Sequence, residues 1–195
     1  MTPNKGQWDN RIHYSTDLSL GKLYLQKDGM CFMLTDYMIH GEGHEHHHSH
    51  DHQHKEIQRI HVIHQKFIGA NINAKIKSYN PSRDFKNYFI GQDSSKWKSK
   101  IYSYNEVHYR DFYDNVDLIY KGDNGQLSYN FLISSGADVA QIKWNFEGAN
   151  EVFIKNGVLT IANRFGMIEQ STPVAYEIDE SGHKSKININ YQNTS

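Results

Sequence analysis

The chain has 195 residues, enough for one domain with a sizeable core. Lysine and arginine total 21 against 22 aspartates and glutamates, a formal charge of -1 that offers no basic field to nucleic acid or anionic lipid. Mean hydropathy is low at -0.75, but 13% aromatic residues, including 13 Tyr and 9 Phe, exclude a disordered chain and describe a folded domain with a wet surface.

The opening phrase MTPNKGQWDN lacks the basic and apolar regions of a signal peptide, and no window reaches the roughly 18 apolar residues of a membrane span. This segment is therefore not expected to insert into a membrane. Residues 20–36, LGKLYLQKDGMCFMLTD, are two apolar runs around Asp28-Gly29, a hairpin-turn signal. Cys31 is the single cysteine, which excludes an intrachain disulfide or a CxxC motif and reads as a buried thiol. Residues 40–54, HGEGHEHHHSHDHQH, are a histidine-rich insertion expected to form a long surface loop. A long strand follows over 57–70, ended by Gly69. Over 87–120 the chain reads as a loop, a strand around 100–108 and another at 116–121. A hairpin is expected where the alternating runs LIY and LSYNFLI flank Gly122-Asp123-Asn124-Gly125. Later come a strand at 141–146, an Asn156-Gly157 turn between two strands, a break at Gly166, and Pro173 before a final strand.

Closely spaced turns, no helical periodicity over ten residues and Tyr-rich, Ala-poor composition predict an all-β fold. We expect an antiparallel β-sandwich-like domain with many hairpins, one domain over 1–195.

The candidate chemistry is sparse. His44, His46, His47, His48, His50, His52 and His54 offer metal-compatible spacings, with His61 and His64 just beyond; neutral imidazole suits Zn, Ni or Cu. A Gly-punctuated loop lacks oriented ligands and the groups that would hold them, so no cofactor is required and affinity for Zn, Ni or Cu is the alternative. His44-Glu45-His46-His47-His48 formally matches the zinc-protease pattern H-E-x-x-H, but that chemistry needs two histidines on one face of a helix, and no apolar helical stripe surrounds them. Asp111, Asp114 and Asp117 recur every third residue as potential calcium oxygens or an acid/base pair, against the plainer role of capping a turn. No G-x-S-x-G occurs, and no catalytic residue is assigned. Trp97 and Trp144 are candidates for stacking on sugars, with core packing as the competing role.

Three longer phrases carry a resemblance: NKGQWDNRIHYSTDLSLGKLYLQKDGMCFML, then NYFIGQDSSKWKSKIYSYNEVHYRDFYDNVDLIYKGDNGQLSYNFLISSGADVAQIKWNFEGA, then NGVLTIANRFGMIEQSTPVAYEI. They resemble an N-terminal domain of unknown function from large secreted or surface proteins of Bacteroidota. In such proteins the domain often precedes SBBP-type β-propeller repeats, PKD modules or a type IX secretion C-terminal domain associated with gliding motility. The resemblance implies an all-β fold, export to the cell surface or beyond, and no established catalytic residue. It also implies that Met1 opens a mature domain or an incomplete gene product, and that the chain is a piece of a longer protein. The expected role is a non-catalytic structural or interaction module, linked to adhesion or gliding motility, whose partners are neighbouring domains, surface glycans or proteins.

Overall fold

The computed structural model describes residues 1–36, 59–123 and 126–193. In chain order its strands are β1 (Thr2–Pro3), β2 (Tyr14–Leu18), β3 (Gly21–Leu25), β4 (Gly29–Asp36), β5 (Arg59–Ile68), β6 (Lys75–Tyr88), β7 (Lys98–Tyr113), β8 (Val116–Asp123), β9 (Gln126–Ile133), β10 (Lys143–Glu147), β11 (Glu151–Lys155), β12 (Val158–Asn163), β13 (Gly166–Gln170), β14 (Ala175–Ile178) and β15 (Lys184–Ile187). Every pairing is antiparallel, as the turn spacing predicts. Two single 3-10 turns, Ser94–Lys96 and Val139–Gln141, are the only helical elements among the described residues. The chain divides into two compact units, Met1–Glu147 and Gly148–Ser195.

The first unit holds two sheets, one ordered β1-β2-β3-β4-β5-β10 and the other β6-β7-β8-β9. Alternation sets what each turns inward. On the first sheet Leu23 and Leu25 pair with Phe32 and Met30, and Ile63 lies opposite Phe32; all five are buried. On the second, Val107, Tyr109, Leu118 and Tyr120 are buried. The faces meet at Phe67 of β5, whose ring sits 5.4 Å from Phe112 and 5.7 Å from Phe131, edge to face. Burying a ring of this size stabilises by roughly 1.5–3 kcal/mol, and each well-placed edge contact adds about 0.5–1.5 kcal/mol. The run MCFML lies on β4, inside its sheet, where Met30, Cys31, Phe32 and Leu34 are all buried; a near-continuous apolar run is what such a strand needs. Cys31 is a free buried thiol, with burial pushing its pKa up.

Three boundaries differ from the sequence reading. Residues 75–88 form β6, for which the sequence gives no alternating signal, because Asn80 adopts φ 55° and Pro81 follows it. A register shift between Pro81 and Phe85 breaks the pairing with β7. Proline is tolerated there because β6 is an edge strand. The strand expected around 100–108 extends over Lys98–Tyr113, and the one expected at 141–146 starts after the Val139–Gln141 turn.

In the second unit β11, β12 and β13 form a meander and β14 pairs β15. The Asn156-Gly157 turn is as read: both residues have positive φ, 52° and 79°, and join Lys155 to Val158 as a two-residue hairpin loop. Leu159 and Ile161 of β12 are buried.

Candidate functional site

The seven histidines His44, His46, His47, His48, His50, His52 and His54 lie outside the described residues. His61 and His64 flank the insertion on β5, three positions apart on a strand and hence on opposite faces: His61 lies across from Leu34 and His64 across from Cys31. Among the described residues no group of three or more His, Cys, Asp or Glu side chains comes together as a metal would require.

The three aspartates separate into different jobs. Asp111 has φ 55°, within the irregularity between Tyr109 and Tyr113, and its backbone N–H donates to Asp117 Oδ1 at 2.8 Å. Asp117 thus caps the kink, with Arg110 3.8 Å away. Asp114 stands in the β7–β8 turn, where its carbonyl accepts from Gln141 at 3.1 Å. Asp111 and Asp114 share a shallow depression of about 440 Å³ with Gly69, Asn71, Asn115 and Gln141. Backbone capping accounts for the contacts these acids make.

The two tryptophans also part company. Trp144 pairs with Phe67 across β10 and β5 and packs edge-on to it at 6.0 Å, half-buried. Trp97 is 43% exposed. Asp93 caps the short turn before it, accepting from Ser95 N at 3.0 Å, and the Trp97 indole donates to the Gly91 carbonyl at 3.1 Å. Its ring stands 5.6 Å from Phe89. Phe89 and the adjacent Ile90 are 60% and 61% exposed, which makes an apolar knob beside β7.

From this knob β7 runs with Ile101, Val107 and Tyr109 facing the core and Tyr102, Tyr104, Glu106, His108 and Arg110 on the other face. Tyr102 meets Phe85 of β6 at 6.0 Å. Further along, His108 Nε2 lies 3.0 Å from Glu106 Oε2, and its ring 4.5 Å from Tyr79. Lys77 sits over the Tyr79 ring at 5.0 Å. The neighbouring Arg110 guanidinium, and then Lys77, hold the Tyr79 phenol below its ordinary pKa. Hydrogen bonding to His108, with Lys121 nearby, likewise holds Glu106 low. Where the N-terminal segment meets β7, Pro3, Lys5, Lys98, Lys100, Ile101 and Tyr104 line a depression of about 280 Å³, and Lys98 lies across from Tyr88, whose ring packs on Trp8. Lys5, Lys98 and Lys100 have no ion-pair partner among the described residues.

The sequence pointed to Trp97 but not to this row, because Tyr79 and Lys77 lie on the strand that was not legible. The alternation in Glu106-Val107-His108-Tyr109-Arg110, polar out and apolar in, is the signal that was available.

No curated protein and no solved structure matches the chain. A family model described as "Domain of unknown function (DUF7948)" matches residues 1–195, so the chain belongs to that family.

Proposed function

We propose that the chain is a non-catalytic interaction module of a larger secreted or cell-surface protein, with the outer face of the β6–β7 hairpin as its binding surface. The observation that carries this reading is the exposed apolar knob of Phe89, Ile90 and Trp97, set on a two-sheet scaffold. Exposed apolar surface rimmed by polar groups marks an interaction site, and a rigid strand pair holds it in place. The resemblance to N-terminal domains of exported Bacteroidota proteins adds the setting, with adhesion or gliding motility as the wider task and neighbouring domains, glycans or proteins as partners. Incubation of the intact chain with glycan and peptide libraries is the test. The reading expects every substrate to remain uncleaved. Cleavage that disappears in Asp111→Asn, Asp114→Asn or Glu106→Gln would overturn it.

A second reading is capture of Zn, Ni or Cu by the histidine segment, favoured by eight histidines in the fifteen residues 40–54. Calorimetric titration with Zn separates it from incidental affinity. A dedicated site binds with defined stoichiometry and raises the melting temperature, and loses both on deletion of 40–54. Weak, multi-site binding with an unchanged melting temperature contradicts it.

A further inference from the structure

The two sheets of the first unit end in the edge strands β1, β10, β6 and β9, and three of these carry features that discourage a further strand. β1 is two residues long and contains Pro3. β6 holds Pro81 and two register shifts, with Lys75, Lys77, Arg83 and Lys86 along it. β10 is five residues long, bounded by Lys143 and Glu147. β9 has none of these. Its eight residues, QLSYNFLI, include no charge, proline or glycine, and it pairs with β8 without a register shift.

The direction of its free backbone groups follows from the register. Ser134 N donates to the Asn115 carbonyl, so the even-numbered residues of the strand bond to β8 and the odd-numbered ones turn N–H and C=O to the open edge. The backbone groups of Leu127, Phe131 and Ile133 have no partner among the described residues. The side chains of Leu127 and Phe131 are only half-buried, and Ile133 is 38% exposed. A strand added here meets the open backbone groups and covers these side chains together.

A second copy of the same edge has the matching chemistry. An uncharged strand opposes no like charges when it pairs antiparallel with itself. The register that uses the whole edge sets Leu127 opposite Ile133 and Phe131 opposite Tyr129 of the second copy, apolar against apolar. It places Asn130, exposed on the other face, across from its own counterpart on a two-fold axis.

We infer that two copies of the chain pair through β9, antiparallel about Asn130, and so join their β6-β7-β8-β9 sheets into one. The symmetry closes the contact, so association stops at two. A single strand pair is a small interface, and a dissociation constant on the order of 1–100 μM is expected. β6 is the opposite edge of the same sheet, so the dimer and the proposed β6–β7 surface stand or fall separately.

Sedimentation equilibrium of the intact chain across that concentration range is the test. The expected result is a monomer–dimer equilibrium that Asn130→Lys and Asn130→Glu each weaken by about fivefold and an equal mixture of the two restores, because opposite charges then face each other. Restoration in the mixture also shows that neither variant acts by unfolding. Asn130→Cys, whose Cα would stand about 4.5 Å from its counterpart, should close a disulfide between copies under mild oxidation, while Ser128→Cys, set opposite Leu132, should not. A monomer throughout, a dimer indifferent to charge at Asn130, growth beyond two copies, or cross-linking through Ser128→Cys in place of Asn130→Cys overturns the inference.

Discussion

Gly29 opens β4 directly after the two-residue loop Lys27-Asp28, one place beyond the turn that Asp28-Gly29 announces in the sequence, and Gln26 N donates to its carbonyl. The glycine itself answers to another demand. A Cβ built at Gly29 falls 2.0 Å from the Gln65 carbonyl oxygen of β5, so the approach of backbone to backbone excludes any side chain. Gly29→Ala is expected to destabilise the protein by about 1–3 kcal/mol through displacement of β5, read as a lowered denaturant midpoint at unchanged slope. An unchanged midpoint would show that β5 lies farther off. His13 supplies a second residue-scale prediction. Burial, and then Lys27, hold its pKa below the ordinary imidazole value. The unfolded chain therefore takes up this proton first. Stability is full above about pH 6.5 and declines as pH falls from there toward the folded-state pKa. His13→Asn should flatten the fall in melting temperature between about pH 7 and 5 relative to the parent; parallel curves would contradict the assignment.

At the scale of elements, the histidine segment is bounded by a fixed register. Asp36 at the end of β4 lies opposite Arg59 at the start of β5, so the two strands pair up to the ends of the 37–58 connection. Closing a loop costs more as it lengthens, by about (3/2)RT ln n, and removal of 40–54 shortens the 37–58 connection enough to gain about 1 kcal/mol. We expect the deletion variant to fold with the same circular dichroism and an equal or slightly higher melting temperature. A large loss of stability would mean that the segment contributes to the fold. The elements also show what the sequence could reveal. Hairpins with clear punctuation, β3–β4, β8–β9 and β11–β12, were legible because their turn residues and alternation agree. β6 was not, since Asn80 and Pro81 interrupt its period and it needs no buried face of its own, being an edge held by the register of β7. The candidate site fared likewise: Trp97 stood out by residue type, while Lys77 and Tyr79 depend on that edge strand. Trp144, equal to Trp97 by type, was separated from it only by the pairing that turns it toward Phe67.

At the scale of the whole molecule, the first unit of this all-β chain buries apolar residues of both sheets and leaves Phe85, Tyr102 and Trp97 exposed on β6–β7. That row is built on the pairing of β6 with β7, which runs from Lys75–Arg110 to Tyr88–Lys98 with two register shifts. The proposed place of recognition is the outer face of β6–β7. Screening the intact chain on glycan and protein arrays, beside Trp97→Ala, Tyr102→Ala and Asp114→Asn, tests the place directly. The expected result is binding that Trp97→Ala and Tyr102→Ala each weaken and Asp114→Asn leaves unchanged. Binding that survives Trp97→Ala and Tyr102→Ala but is lost in Asp114→Asn, or no binding to any partner, would contradict it.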